Sequence, residues 1–398
     1  MLTSLALIFL VGLLLGRVFK TIKLPSLLGM IMTGMLLGPY GFDFLVPSML
    51  EISADLRQLA LIVILTRAGL SLDMADLKKV GRPAILMCFI PATLEILGII
   101  YFAPSILGLT IMEAAILGTV LAAVSPAVIV PRMLHLMEQG YGTARSIPQM
   151  ILAGASVDDV YVIVLFTAFT SMAQGTAVGA KDFFEIPISI VLGVAIGILV
   201  GLGLAWFFQK FKIQDTVKII IIISLSALLL EAADQLNQII PFSGLLAIMS
   251  VGITIYKKSP NLAGRLSNQY NKIWVGAEVL LFVLVGATVD LNYALQAGSG
   301  ALAIVVIGLV FRMTGVWISL IKTVLNFKER AFVMMAYTPK ATVQAAIGGI
   351  PLALGLAAGN QILTVAVLSI LITAPLGALC IDYFYPRFLK KEESSYDQ

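Results

Sequence analysis

The sequence predicts an all-α polytopic membrane protein of about thirteen transmembrane helices, with a span taken as about 20 residues. Three observations predict it. The 398-residue chain is 60% hydrophobic and only 12% charged, more apolar surface than a soluble protein of this length hides. Its apolar runs recur at span length. Its basic residues fall almost entirely on alternate connections between those runs. Cys88 and Cys380 both lie in apolar runs and read as packing residues without a disulfide framework. His135 is the only histidine, which excludes multi-histidine metal sites and Ser-His-Asp chemistry.

In order, the expected spans are Leu2–Phe19, Leu24–Leu37, Ala54–Leu72, Gly81–Ala103, Leu109–Pro131, Pro148–Ala173 and Phe184–Phe208. They continue with Val217–Ala233, Phe242–Tyr256, Ile273–Val289, Ala301–Leu320, Phe332–Leu354 and Ile362–Phe384. No basic region precedes the first run, so it reads as a retained span and not as a cleaved signal. The odd-numbered connections carry the basic residues, among them Lys20, Lys23, Lys78, Lys79, Arg132, Arg145, Lys212, Lys257, Lys258, Arg265 and Lys272. The stretch after the last span adds Arg387, Lys390 and Lys391, whereas the even-numbered connections hold only Lys181. The positive-inside rule then places the N-terminus outside and the C-terminus in the cytoplasm.

The fifth and twelfth spans are each interrupted by a proline that follows a hydroxyl residue. The fifth contains Ser125-Pro126 and the twelfth Thr338-Pro339-Lys340. An interior proline removes a backbone hydrogen bond, and a membrane tolerates the freed groups where they line a cavity or are buried in protein. The two spans are seven apart. That offset is expected if spans one to six repeat, inverted, as spans eight to thirteen around a linker. Paired interrupted helices in inverted repeats point to a transporter binding site.

The sixth span carries Gly154-Ala155-Ser156-Val157-Asp158-Asp159. A charged side chain at a bilayer centre costs about 2.5–3.5 kcal/mol on insertion scales, and folding does not ask for it. Asp158 is about ten residues into its span, roughly 15 Å at 1.5 Å per residue, which is the middle of a core of about 30 Å. Ser125, Thr338, Lys340, Asp158 and Asp159 can meet at that level, and Ser156 shares a helix face with Asp159. Carboxylates, hydroxyls, freed carbonyls and water make a hard oxygen site that suits Na⁺ or Li⁺. A carboxylate holds either a cation or a proton, and that competition is sufficient for exchange when the site opens to one side at a time.

The remaining intramembrane charges need partners. Arg57 and Arg67 lie near span ends and can snorkel. Glu95 and Arg312 are related by the offset of seven and are expected to pair. Lys340 is expected against carbonyl ends of the broken helices, or paired with Glu278 or Asp158. Asp158 and Asp159 point roughly 100° apart on one helix, so they cannot form the facing dyad of an intramembrane aspartyl protease. No enzymatic role is expected.

The run Thr338-Pro339-Lys340-Ala341-Thr342-Val343-Gln344-Ala345-Ala346-Ile347-Gly348 resembles the cation/proton antiporter superfamily, together with Val157-Asp158-Asp159, Ser125-Pro126, Leu24-Pro25-Ser26-Leu27-Leu28-Gly29 and Arg67-Ala68-Gly69-Leu70. The nearest branch is the NHA-type Na⁺/H⁺ antiporters, which include the mammalian NHA exchangers. The resemblance implies a homodimer in the cell membrane that moves sodium and protons in pH homeostasis. It implies an elevator-type fold with a moving core of residues 80–175 and 298–386. Residues 1–79 and 216–292 would form the scaffold and dimer interface, 183–210 the linker helix and 387–398 a short cytoplasmic tail. Asp159 would be the essential ion- and proton-binding acid and Asp158 its neighbour. Na⁺ or Li⁺ and H⁺ are then cargo, with no cofactor and no nucleic-acid partner. Arginine stays protonated, so Arg312 cannot be a carried proton, and the stoichiometry stays open. A K⁺/H⁺ antiporter of the same superfamily is the rival reading, followed by a Na⁺-coupled organic-anion symporter.

Overall fold

The computed structural model describes residues 1–71, 81–174, 180–211, 213–236, 242–289 and 298–391. The expected basic positions Lys78, Lys79 and Lys212 lie outside the described residues, as do the side chains of Ser156 and Lys181. Among the described residues, nine helical segments are long and apolar enough to cross a membrane, with shorter apolar helices at Ser26–Leu37 and Thr342–Ala353. The protein is an all-α, multi-pass membrane protein.

The helices are α1 Leu2–Thr21, α2 Ser26–Leu37, α3 Pro47–Glu51, α4 Ser53–Ser71, α5 Arg82–Met87, α6 Ile90–Leu107, α7 Ile111–Ala122, α8 Pro126–Glu138 and α9 Ile147–Gln174. They continue as α10 Ala180–Lys210, α11 Asp215–Leu236, α12 Gly244–Lys258, α13 Pro260–Ala287, α14 Gly298–Ser319, α15 Phe327–Ala336, α16 Thr342–Ile347, α17 Ile350–Ala353 and α18 Gly359–Phe388.

Local chemistry explains the ends that matter for the site. Capping boxes start α7 at Thr110 with Glu113 and α15 at Asn326 with Glu329. Each helix then runs to a break at an expected proline. α7 ends where Ala123 turns extended, and α8 begins with Pro126 as its first residue, where a missing N–H costs nothing. α15 ends at Tyr337, and the chain does not become helical again until Thr342.

Two expectations need correction. The fourth span is not continuous: Cys88 and Phe89 separate α5 from α6, because Pro91 has no N–H to return to the Met87 carbonyl. The tenth is longer than expected. α13 starts at Pro260, so Arg265 and Lys272 lie on its first turns and not in a loop.

The chain divides into two compact units. One comprises Met1–Leu50, Asp73–Val162 and Phe282–Gln398. Within it α6 packs on α7 and α14, and α18 packs on α7, α15 and α17. Its core gathers Met87, Val124, Met150, Ile151, Val316, Phe332 and Tyr337. The turn into α9 is tied down there: Arg145 pairs with Glu329, Gly142 N donates to Lys390 O at 2.9 Å, and Arg132 meets Asp382 at 3.0 Å. The other unit comprises Glu51–Leu72 and Ile163–Leu281. In it α10 and α12 touch backbone to backbone: a Cβ on Gly197 would stand 2.3 Å from the Ala247 carbonyl oxygen. Gly193 and Gly201 repeat that close approach one turn away on either side. Arg67 and Glu278 are electrostatic partners in this unit.

Candidate ion-binding site

The two breaks face each other. Ser125 N donates to Pro339 O at 2.8 Å, so backbone freed at one break satisfies backbone freed at the other. The next helix in the chain completes each one. At the first break Val124 N donates to Asp158 Oδ2 at 3.0 Å; at the second Lys340 N donates to Thr373 Oγ1 at 2.9 Å.

The carbonyls left open at the end of α7 are also taken. Leu121 O accepts from Lys340 Nζ and from Gln344 Nε2, the latter at 3.3 Å. Ala122 O accepts from Arg312 Nη1, and Ala123 O accepts from Gln344 Nε2 at 2.7 Å. The freed carbonyls expected among the ion ligands are therefore occupied by side chains of α14 and the second break. A positive side chain suits this end because a helix C-terminus carries partial negative charge.

Four buried charges knit the cluster. Arg312 reaches Glu95 Oε2 at 3.0 Å and Asp158 Oδ2 at 2.7 Å, and its Nε donates to Tyr337 O at 2.8 Å. Lys340 Nζ lies 2.5 Å from Glu95 Oε1, so its partner is neither Glu278 nor Asp158. All four side chains are 0–1% exposed. Two acids and two bases cancel, so the cluster is neutral with every member ionised. In a low-dielectric interior that balance keeps four charges tolerable; removing one leaves its partner uncompensated.

Asp159 stands outside this balance. Among the described residues it forms no ion pair, and its Oδ1 is buried without a hydrogen-bond partner. Asp158 Oδ1 and Ser125 Oγ are buried and unpartnered too. These three oxygens are among the acceptors left over, together with Gln344 Oε1, Thr342 Oγ1 and Tyr337 Oη at the second break, and hard oxygens of this kind hold an alkali cation or a proton. Thr338 is buried at the second break, and its hydroxyl donates to Met335 O at 2.8 Å, in its own turn. Glu278 belongs with Arg67 in the other unit. Among the described residues no cluster of three or more His, Cys, Asp or Glu side chains forms a metal centre.

Reading residue types missed Gln344 and Thr373. Gln344 lies inside the motif already singled out, four residues beyond Lys340, and its place in that motif was its signal. Thr373 is one of several hydroxyl residues in an apolar helix and gives no signal by itself.

A multi-pass helical protein with two crossed, broken helices and a carboxylate set against a neutralised ionic cluster is an ion-coupled secondary transporter. The model of the family described as sodium/hydrogen exchanger, transmembrane, matches residues 5–383. The sodium/hydrogen exchanger 9B2 of Mus musculus is 33% identical over 95% of this chain and 72% of its own length. Sodium/hydrogen exchanger 9B1 of Homo sapiens is 30% identical over 94% of this chain and 76% of its own. The chain belongs to the sodium/hydrogen exchanger family, as the resemblance to NHA-type antiporters implied. Its fold is that of the sodium proton antiporter MjNhaP1 of Methanocaldococcus jannaschii, with a TM-score of 0.81 at 20% identity over 96% of this chain and 97% of that one.

Proposed function

We propose that this transporter exchanges Na⁺ or Li⁺ for H⁺ by alternating access, with Asp159 as the group for which cation and proton compete. One observation carries the reading: Asp159 is the acid left without a base beside a cluster whose other charges cancel. Asp158 Oδ1 and Ser125 Oγ supply further oxygens. Ser156, three residues before Asp159 in the sequence, is proposed to add another on the helical spacing alone. Thr338 keeps its lone pairs for the same task.

The stoichiometry follows from the charge count. A single exchangeable carboxylate carries one proton one way or one monovalent cation the other. Arg312 cannot give up its proton, and Lys340 is bound to Glu95. Exchange is then one for one and electroneutral.

The two breaks support thirteen spans arranged as inverted repeats. Val124 and Asp158 are 34 residues apart, and Lys340 and Thr373 are 33 apart; each pair joins a break to the following helix by the same kind of bond. An elevator motion of residues 80–175 and 298–386 against residues 1–79 and 216–292, with residues 183–210 as linker, suits that arrangement. So do a homodimer in the cell membrane, an outside N-terminus and a cytoplasmic C-terminus at the basic loops.

The test is dye dequenching in liposomes holding a pH gradient, on addition of NaCl, LiCl or KCl. Na⁺ and Li⁺ are expected to dequench the dye in the wild type and not in Asp159→Asn. A response to K⁺ alone makes the protein a K⁺/H⁺ antiporter. No response from folded, oriented protein sinks the exchange reading.

A further inference from the structure

Tyr337 closes α15 at the second break and is fully buried. The exchange scheme does not use it. Its carbonyl accepts from Arg312 Nε at 2.8 Å, and the guanidinium stands over its ring, 5.5 Å from the centroid. The same guanidinium binds Asp158. The phenol oxygen presses on the backbone of α9 at Gly154, where a Cβ would come within 2.1 Å of it. Gly154 is one turn before Asp158 on the same helix face.

Among the described residues the phenol oxygen has no hydrogen-bond partner. A buried hydroxyl without a partner is worse placed than the phenyl ring it replaces. On the next turn of α9, Asp158 Oδ1 and Asp159 Oδ1 are buried without partners of their own. A donor without an acceptor thus sits one turn from two acceptors without donors, gripped by the arginine that orients one of them.

We propose that Tyr337 is a further residue of the ion site, resting on the exchange reading above. Its hydroxyl hydrogen-bonds the aspartate pair, directly or through one water, when the pair is loaded with cation, and so sets how tightly the cation is held. Gly154 is the space that lets the phenol reach this position. A side chain there expels it.

The test is the Na⁺ concentration that half-maximally raises the melting temperature of the purified protein, NaCl being exchanged for choline chloride at constant ionic strength. Wild type, Asp159→Asn, Tyr337→Phe and Gly154→Ala are compared, alongside the Na⁺ KM in liposomes. Tyr337→Phe is expected to raise the Na⁺ midpoint and the KM by about 10- to 100-fold, as losing one hydrogen bond to an ionised site does. Gly154→Ala is expected to do the same while keeping the tyrosine. A purely structural tyrosine would shift melting in choline chloride and leave the midpoint alone. Wild-type melting that responds to Na⁺, lost in Asp159→Asn but matched within twofold by Tyr337→Phe, overturns the role of Tyr337 and spares the exchange reading. Wild-type melting indifferent to Na⁺ overturns both.

Discussion

The two breaks solve one backbone problem with different chemistry. At the first, a freed N–H is satisfied by Asp158; at the second, the same kind of group is satisfied by Thr373. A hydroxyl is evidently enough to cap a broken membrane helix. The charge on Asp158 therefore serves something other than capping, and its contact with Arg312 and its unpartnered second oxygen indicate what. In the proposed reading the first break is an ion site built on a structural device. The second is the structural device alone, and it lends the first its Lys340 and Gln344.

The largest effect expected is at Asp159. Asp159→Asn keeps the shape and removes the group that titrates, so Na⁺-driven proton movement should fall to the protein-free leak. Retention of even a tenth of the wild-type rate would move the exchange site elsewhere.

Next come the buried charges, which the second break and α14 supply. Arg312→Met leaves Asp158 without its base, and breaking a buried pair typically costs about 3–5 kcal/mol. Chemical denaturation should register that loss, together with loss of exchange. Asp158→Asn is the sharper probe. Asparagine can still accept from Val124 N, but the cluster now holds one positive charge too many. Stability should fall less than in Arg312→Met, while the Na⁺ KM rises through repulsion of the cation. An unchanged KM would mean that the charge balance does not tune the site.

The smallest effects belong to the plain capping site. Thr373→Val strands the Lys340 N–H, and an unsatisfied buried group costs about 1–3 kcal/mol. Thr373→Ser keeps the bond and should cost little. Neither should change the preference for Na⁺ over K⁺, measured as the ratio of dequenching rates. A changed ratio would erase the distinction between the two breaks.

Much of this is legible in the sequence. Pro126 and Pro339 marked both breaks because a missing N–H is a local, covalent fact. The offset of seven brought Glu95 to Arg312, since a repeat relates spans without needing their side-chain directions. What stayed hidden depended on those directions. The break at Cys88 is the exception: Pro91 stands at the middle of the expected Gly81–Ala103 span and carries the same missing N–H as Pro126, but it has no counterpart proline seven spans away to draw attention to it. Lys340 meets a carbonyl end of a broken helix as expected, at Leu121 O, but its acid partner Glu95 was missed because depth along a helix does not say which way a long side chain bends. The carbonyls of Leu121, Ala122 and Ala123 read as free ligands because a sequence does not show what fills a gap, and Arg312, Lys340 and Gln344 fill it.

The central claim is that one carboxylate exchanges while four charges around it only balance. Its most direct test is the ratio of Na⁺ to H⁺ moved at equilibrium in liposomes, with the membrane potential set by valinomycin and K⁺. The balanced cluster predicts that net flux stops where the Na⁺ gradient equals the H⁺ gradient, at every imposed potential. A null point that shifts with potential would mean that a second proton travels with the site, and would contradict the assignment of Lys340 and Arg312 as fixed charges.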